Sequence, residues 1–299
     1  MSSSFLEFLK EKEVEHLKDE KLSKYSYIGI GGIARLTVFP KSEKELCEVV
    51  CRLTHEGAKY KLVGNMTNIL PPDLYYDGVI VKTSKMSYYY VAENELLVSS
   101  GASFIPLVRN LAELCIGGFE PLSGIPGSVG GMIYNNAGAY GSEISDNLIY
   151  ADVYFPIEDK VRRLAKKELA FSYRDSILKH CRAVVLSSAF QRIDMPKEEI
   201  YMKIKEYKKR REETQPTKER SLGSTFLRHG GESVAKIIDS LGLCGVRIGD
   251  AEISTKHAGF IVNRGSCTAE DYISLVNFIK EKIQDSFGFT PNEEIEILK

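Results

Sequence analysis

Between Ser42 and Gly57, apolar residues fall at Leu46, Val49, Val50 and Leu53. That spacing draws one buried stripe along a helix. Ser42 with Glu45 three residues on supplies a capping-box start, and Gly57 marks the stop. The pattern before it, YSYIGIGGIARLTVFP (Tyr25 to Pro40), reads as strand, glycine turn and strand, preceded by an N-terminal helical stretch. After it, KYKLVGNMTNIL reads as a strand running into a polar turn. GVIVKT, YYYVAE and ELLVSSGA are short β-rich runs, and a helix is expected from about Ile105 to Cys115. LIYADVYFP, KVRRLA and AVVLSSAFQRI are again strand-like.

Beyond Pro196 the character changes. EEIYMKIKEYKKRREETQPTKER reads as a highly charged helix ending at a Gln-Pro turn. Its charges suit a solvated face, or a phosphate met by the basic residues. ESVAKIIDSLGL is expected to be helical, and AEISTKHAGFIVNRG to hold a strand. A further helix opens with Thr268-x-x-Asp271 and carries Ile273, Val276, Ile279 and Ile283 on one face. EEIEIL predicts a last strand with Glu294 and Glu296 on one side. No fixed repeat is present, and the fold class is α+β.

Composition narrows the function. Lys and Arg number 40 against 41 Asp and Glu, which argues against a general nucleic-acid binder. No run of 18 apolar residues exists and the opening segment is charged, so neither a membrane span nor a secretory signal is expected. The six cysteines are scattered without metal-like spacing, which predicts free buried thiols in a reducing cytoplasm and no metal site.

SGIPGSVGGMIYNNAGAYGSE, Ser123 to Glu143, is dense in glycine yet threaded with Ile125, Val129, Met132, Ile133 and Tyr134. Glycine lets backbone approach a ligand closely, and successive amides can cradle an anion without a lysine. Gly124, Gly127, Gly130 and Gly131 fit neither standard nucleotide fingerprint. Taken alone, the segment leaves two readings open: tight turns in a core, or a ligand cradle. VGNMTNIL, with Gly64, Asn65, Thr67 and Asn68, is a second loop offering donors of the kind a pyrophosphate needs.

Taken in order, these segments resemble the UDP-N-acetylenolpyruvoylglucosamine reductase family over about residues 25 to 298. IGIGGIARLTVFP is similar to that family's first strand pair, and VGNMTNIL to its G-G-G-S-N-L-L flavin loop. LSGIPGSVGGMIYNNAGAYGSEI is close to the family's signature. FSYRDSILK, SLGSTF, GDAEISTKHAGFIVNRG and FGFTPNEEIEI resemble later motifs. The resemblance implies a flavoprotein fold of the vanillyl-alcohol oxidase and p-cresol methylhydroxylase type, in the shorter subtype without an extra tyrosine-bearing loop. After the N-terminal helical segment, which its own pattern places at 1–24, it implies a two-subdomain FAD-binding module at 25–195 dividing near residue 80, and a substrate-binding domain at 200–299.

It also implies non-covalent FAD, NADPH as hydride donor, and reduction of UDP-N-acetylglucosamine enolpyruvate to UDP-N-acetylmuramate. The partners it implies are small molecules, with no nucleic acid or membrane, around a cytoplasmic monomer. FAD would lie on Gly64, Asn65, Met66, Thr67, Asn68 and Ile69, and on Ser123, Gly124, Ile125, Pro126, Gly127, Gly130, Gly131, Asn136, Ala137 and Gly138. Ser224 matches the proton donor, Arg174 the carboxylate-binding arginine and Glu294 the C-terminal catalytic glutamate, with Tyr173 and Arg228 beside the substrate.

The chain departs from the family's pattern at Met66, which bears on FAD affinity, and at Leu227, Arg228 and His229 and in ESVAKIID, which bear on UDP recognition. A flavin oxidase of the same fold and a catalytically silent flavin-binding protein are the competing readings. No His or Cys between Lys61 and Leu70 offers the covalent flavin link that such oxidases often use. His257 is a candidate general acid or a buried turn residue. Arg174 without the resemblance would be a surface partner of Asp175 or another neighbour.

Overall fold

Ser42 begins its helix as its sequence requires. Its hydroxyl accepts from the Glu45 amide at 3.2 Å, and the Glu45 carboxylate reaches back to the Lys41 amide at 3.0 Å. The helix, Glu43–His55, then buries Leu46, Val49, Val50 and Leu53 completely. These are details of a computed structural model that describes residues 3–299. The chain divides into two compact units, and neither follows chain order.

The first unit takes the described residues up to Asp19, Arg35–Asn65 and Asp77–Lys209. One sheet runs in the order Glu15–Lys21, Ile33–Phe39, Tyr76–Lys82, Tyr60–Val63. Its last pair is parallel, with Val63 opposite Lys82. An antiparallel sheet follows the order Lys160–Ala165, Leu148–Phe155, Val184–Gln191, Glu95–Ser99, Tyr89–Val91. Alternation along Leu148–Phe155 sends Val153 into one apolar cluster and Tyr154 into the other. The central strands Leu148–Phe155 and Val184–Gln191 are therefore buried on both faces, while the edge strand Lys160–Ala165 is exposed. Helix Phe104–Glu113 packs on one face, where Phe119 sits edge-on to Phe104 and Phe190 at 5.9 and 5.5 Å.

The second unit takes Glu20–Ala34, Met66–Tyr76 and Arg210–Lys299. Its antiparallel sheet has the order Arg220–Ser224, Phe260–Asn263, Ala251–Ile253, Arg247–Ile248. Helix Ala269–Phe287 covers it with Tyr272, Leu275, Val276, Ile279 and Ile283. Thr268 and Asp271 close both arms of their capping box at 3.0 Å. Asp73 takes the next two amides, of Ala269 and Glu270, at 2.7 and 3.0 Å. Glu296–Ile297 pairs in parallel with Ile69–Leu70.

Several expectations are corrected. The helix expected at the N-terminus stops at Glu11, and Glu15–Lys21 is a charged edge strand whose polar residues hide the strand pattern. Tyr25–Gly32 is not a strand, because Gly29 and Gly31 hold φ of +77° and +144° and bend the chain. The last strand spans only Glu296–Ile297, and Glu294 lies in a bend before it. The Glu294 amide goes to Thr225 and the Glu296 amide to Asn68, so the two do not share a ladder. All six cysteines are free, but only Cys267 is buried. Cys115 and Cys181 are exposed, the first in the turn that follows helix Phe104–Glu113 and the second in a bend.

Candidate functional site

The glycine segment pairs its backbone with residues 100–104 of the first unit. Phe104 donates to the Gly127 carbonyl, Val129 to Ala102 and Gly130 to Ser100, all at 2.8–2.9 Å. A Cβ on Gly130 would meet the Ser100 Cβ at 2.8 Å, so this packing requires glycine there. Ser128 caps the short helix Val129–Tyr134, its hydroxyl accepting from the Gly131 amide at 3.3 Å. The same hydroxyl lies 1.9 Å from where a Cβ of Gly64 would stand. Gly64 and the glycine segment thus touch through one serine. Asn65 adds a second tie, donating through Nδ2 to Ser103 Oγ at 3.0 Å.

Val129, Met132 and Ile133 are buried and Ile125 and Tyr134 partly so, which anchors the segment from below. Gly131 is exposed, while Ser123, Gly124, Pro126 and Gly127 are partly open. Asn136 is fully buried in the left-handed region, at φ 42°. Its Nδ2 donates to Glu143 Oε2 at 2.6 Å and to the Ser172 carbonyl at 2.9 Å.

Ser172 and Asp175 exchange two backbone hydrogen bonds at 3.1 Å, with Tyr173 and Arg174 at the tip of the turn. Arg174 has φ 55°, and its guanidinium donates to the Gly138 carbonyl at 2.6 Å. The guanidinium also lies 5.1 Å from the centre of the Tyr173 ring. Ser176 Oγ ties the turn to the Tyr134 carbonyl at 2.8 Å. Asp175 accepts from His180 at 2.9 Å, which holds its carboxyl below the usual range.

In the second unit, Ser224 ends its strand after Gly223, whose φ is +83°. The Ser224 hydroxyl donates to the Phe226 carbonyl at 3.3 Å. Thr225, fully buried, gives its carbonyl to the Glu294 amide at 2.8 Å. Its hydroxyl lies 3.1 Å from that of buried Tyr272. Asn68 Nδ2 donates to the Glu294 carbonyl at 2.9 Å, and the Asn68 carbonyl accepts from Glu296 at 2.9 Å. Ser224, Asn68 and Glu294, far apart in sequence, therefore share one patch of backbone. Of the neighbouring acids, Glu293 is ion-paired with Lys280 at 2.5 Å. Met66 is buried at φ 49°, a conformation for which glycine is the easy residue. Arg228 and His229 are exposed, and His229 stacks on Phe289 at 3.8 Å.

His257 accepts from the Gly259 amide at 3.1 Å and packs on Phe260, while burial lowers its pKa. It holds a turn. Asn263 does the same, donating to the Ile28 carbonyl at 2.9 Å and accepting from Gly265 and Cys267. Arg264 is paired with Glu252 and Glu219.

Two buried oxygens at the glycine segment, Ser100 Oγ and Asn136 Oδ1, have no hydrogen-bond partner among the described residues. With the close-approach glycines and the amide-rich loop, they fit a bulky polar ligand lying along the backbone. The sequence pattern gives no sign of Ser100 or Ser128, because a serine beside a glycine looks like any turn residue.

Comparison with known proteins fixes the family. Residues 34–162 match the profile of an FAD binding domain, and residues 215–298 that of the UDP-N-acetylenolpyruvoylglucosamine reductase C-terminal domain. The chain is 39% identical over 294 residues to the UDP-N-acetylenolpyruvoylglucosamine reductase of Caldicellulosiruptor saccharolyticus, covering 97% of this chain and 94% of that one. The chain belongs to the UDP-N-acetylenolpyruvoylglucosamine reductase family. The reductase of Staphylococcus aureus is 35% identical over 280 residues, 94% of this chain and 91% of its own. The crystal structure of the reductase from Thermus caldophilus superposes with a TM-score of 0.81 at 31% identity, covering 96% and 99% of the two chains. As a member of this reductase family with an FAD-binding domain, the chain is a flavin-dependent oxidoreductase of α+β fold. Among its described residues no helix is long and apolar enough to cross a membrane.

Proposed function

We propose that the chain reduces UDP-N-acetylglucosamine enolpyruvate to UDP-N-acetylmuramate at the expense of NADPH. FAD, when bound, would supply the hydride chemistry that links NADPH to the enolpyruvyl double bond. Segments 64–69 and 123–138 are assigned to the cofactor. The remaining chemistry belongs to side chains. Hydride addition to one alkene carbon leaves negative charge on the other carbon and its carboxylate, and one proton delivered to that carbon restores the charge of the starting substrate. Arg174, whose planar fork matches a carboxylate, is assigned to that charge. Ser224 is assigned to the proton: a hydroxyl is a weak acid, but an enolate carbon is a strong base. Glu294 is assigned to orienting the donor or relaying its proton.

One observation carries this reading most of the way: the Glu294 amide rests on the Thr225 carbonyl at 2.8 Å. It fixes the glutamate beside the serine motif although 69 residues separate them in sequence (294 − 225). The intact glycine backbone around Arg174 supports the rest.

The test is to purify the protein, record its visible spectrum and follow NADPH oxidation with and without the enolpyruvyl substrate. A yellow protein that consumes NADPH only when substrate is present, and yields UDP-N-acetylmuramate, is the expected result. A colourless protein that takes up no FAD would defeat the proposal.

A further inference from the structure

Neither candidate cofactor segment brings a cation of its own. Val63–Leu70 contains no lysine or arginine, and Ser123–Glu143 has Glu143 as its only charged residue. A pyrophosphate laid on them would meet neutral amides and hydroxyls, with no positive charge from either segment. The first unit nevertheless places one cation beneath the loop. Lys82 lies opposite Val63 in the parallel pair of strands, inside the apolar run GVIVKT, and is only 8% exposed. Its ammonium donates to the Gly64 carbonyl at 2.7 Å. A buried lysine is costly to keep unless its charge is used.

The position of that contact matters. The Gly64–Asn65 peptide is trans, so its N–H points opposite to its C=O. A positive charge held on the carbonyl side polarises the peptide and strengthens the Asn65 amide as a donor to an anion on the far side. Gly64 cannot shift away, since Ser128 Oγ occupies the space behind its Cα and Asn65 is held by Ser103. Burial lowers the Lys82 pKa to about 8, so the group is still largely protonated at neutral pH.

We infer that Lys82 is a positioning residue for the pyrophosphate of FAD, acting through the Gly64–Asn65 peptide rather than by touching the cofactor. The inference rests on the assignment of this loop to FAD. It predicts that the charge matters for a flavin carrying a pyrophosphate and not for one without it.

The experiment measures FAD and riboflavin dissociation constants by flavin fluorescence, on the full chain freed of nucleotide. The wild type, Lys82→Met and Lys82→Arg are compared, and the thermal midpoint of each flavin-free chain is recorded. Lys82→Met is expected to weaken FAD about ten- to hundredfold, the range of one charge-assisted interaction, and to leave riboflavin within about twofold. Lys82→Arg is expected to restore most of the FAD affinity. Unchanged FAD binding in Lys82→Met would overturn the inference. So would equal weakening of FAD and riboflavin, which marks a merely structural lysine, or an arginine variant as weak as the methionine one. A wild type that binds neither flavin would instead defeat the cofactor assignment itself.

Discussion

At the scale of single residues, the neighbouring glycines Gly130 and Gly131 separate packing from ligand approach. A Cβ on Gly130 runs into Ser100, at 2.8 Å from its Cβ and 3.1 Å from its carbonyl. Gly130→Ala should therefore cost about 1–3 kcal/mol in a denaturant melt of the flavin-free protein. A Cβ on exposed Gly131 has only Ser128 Oγ near, at 3.3 Å. Gly131→Ala should change stability by less than about 1 kcal/mol, because helix propensity favours alanine. It should still weaken FAD binding if the cofactor lies on that backbone, and full-strength binding would remove Gly131 from the assigned set. Residue identity made the glycine cluster visible in the sequence. It could not show that Ser128 and Ser100 supply the atoms against which those glycines pack, since that depends on which strands meet.

Whole elements were legible where one face is apolar and the ends are capped, as in Glu43–His55 and Ala269–Phe287. They were not where charge or glycine masks the period, as in Glu15–Lys21 and Tyr25–Gly32. The strand pair Ala251–Ile253 and Phe260–Asn263 is the element whose energetics can be tested. Glu252 on it is buried and bonded to Arg264 and Arg247, with the Arg264 bond the largest cause that lowers its pKa below the ordinary 4.5. A depressed carboxylate stabilises the fold above its unfolded pKa and loses that contribution as pH falls through the folded value. The thermal midpoint of the wild type should accordingly drop more steeply below about pH 4.5 than that of Glu252→Gln. Parallel slopes would refute the linkage. At neutral pH, Arg264→Met should cost about 2–4 kcal/mol, because it leaves a buried carboxylate poorly paired. Arg247→Ala should cost less than about 1 kcal/mol, since that side chain is 53% exposed.

For the whole molecule, the order of motifs along the chain gave the family and the fold, while the interleaving of segments did not show. Residues 20–34 and 66–76 join 210–299, so the loop VGNMTNIL is divided between the two units after Asn65. Linear reading misses this because the pairing of Ile69–Leu70 with Glu296–Ile297 spans about three quarters of the sequence. The same pairing sets Asn68 against Glu294 and Glu294 against Thr225, next to Ser224. The proton donor is thus the central claim, and one measurement addresses it directly. Under anaerobic conditions the wild type and Ser224→Ala are mixed first with NADPH and then with the enolpyruvyl substrate, while flavin absorbance is followed by stopped flow. Both proteins should bleach at similar rates with NADPH, and only the wild type should recover its colour quickly, the variant reoxidising at least about a hundredfold more slowly. Recovery of Ser224→Ala at the wild-type rate would contradict the account.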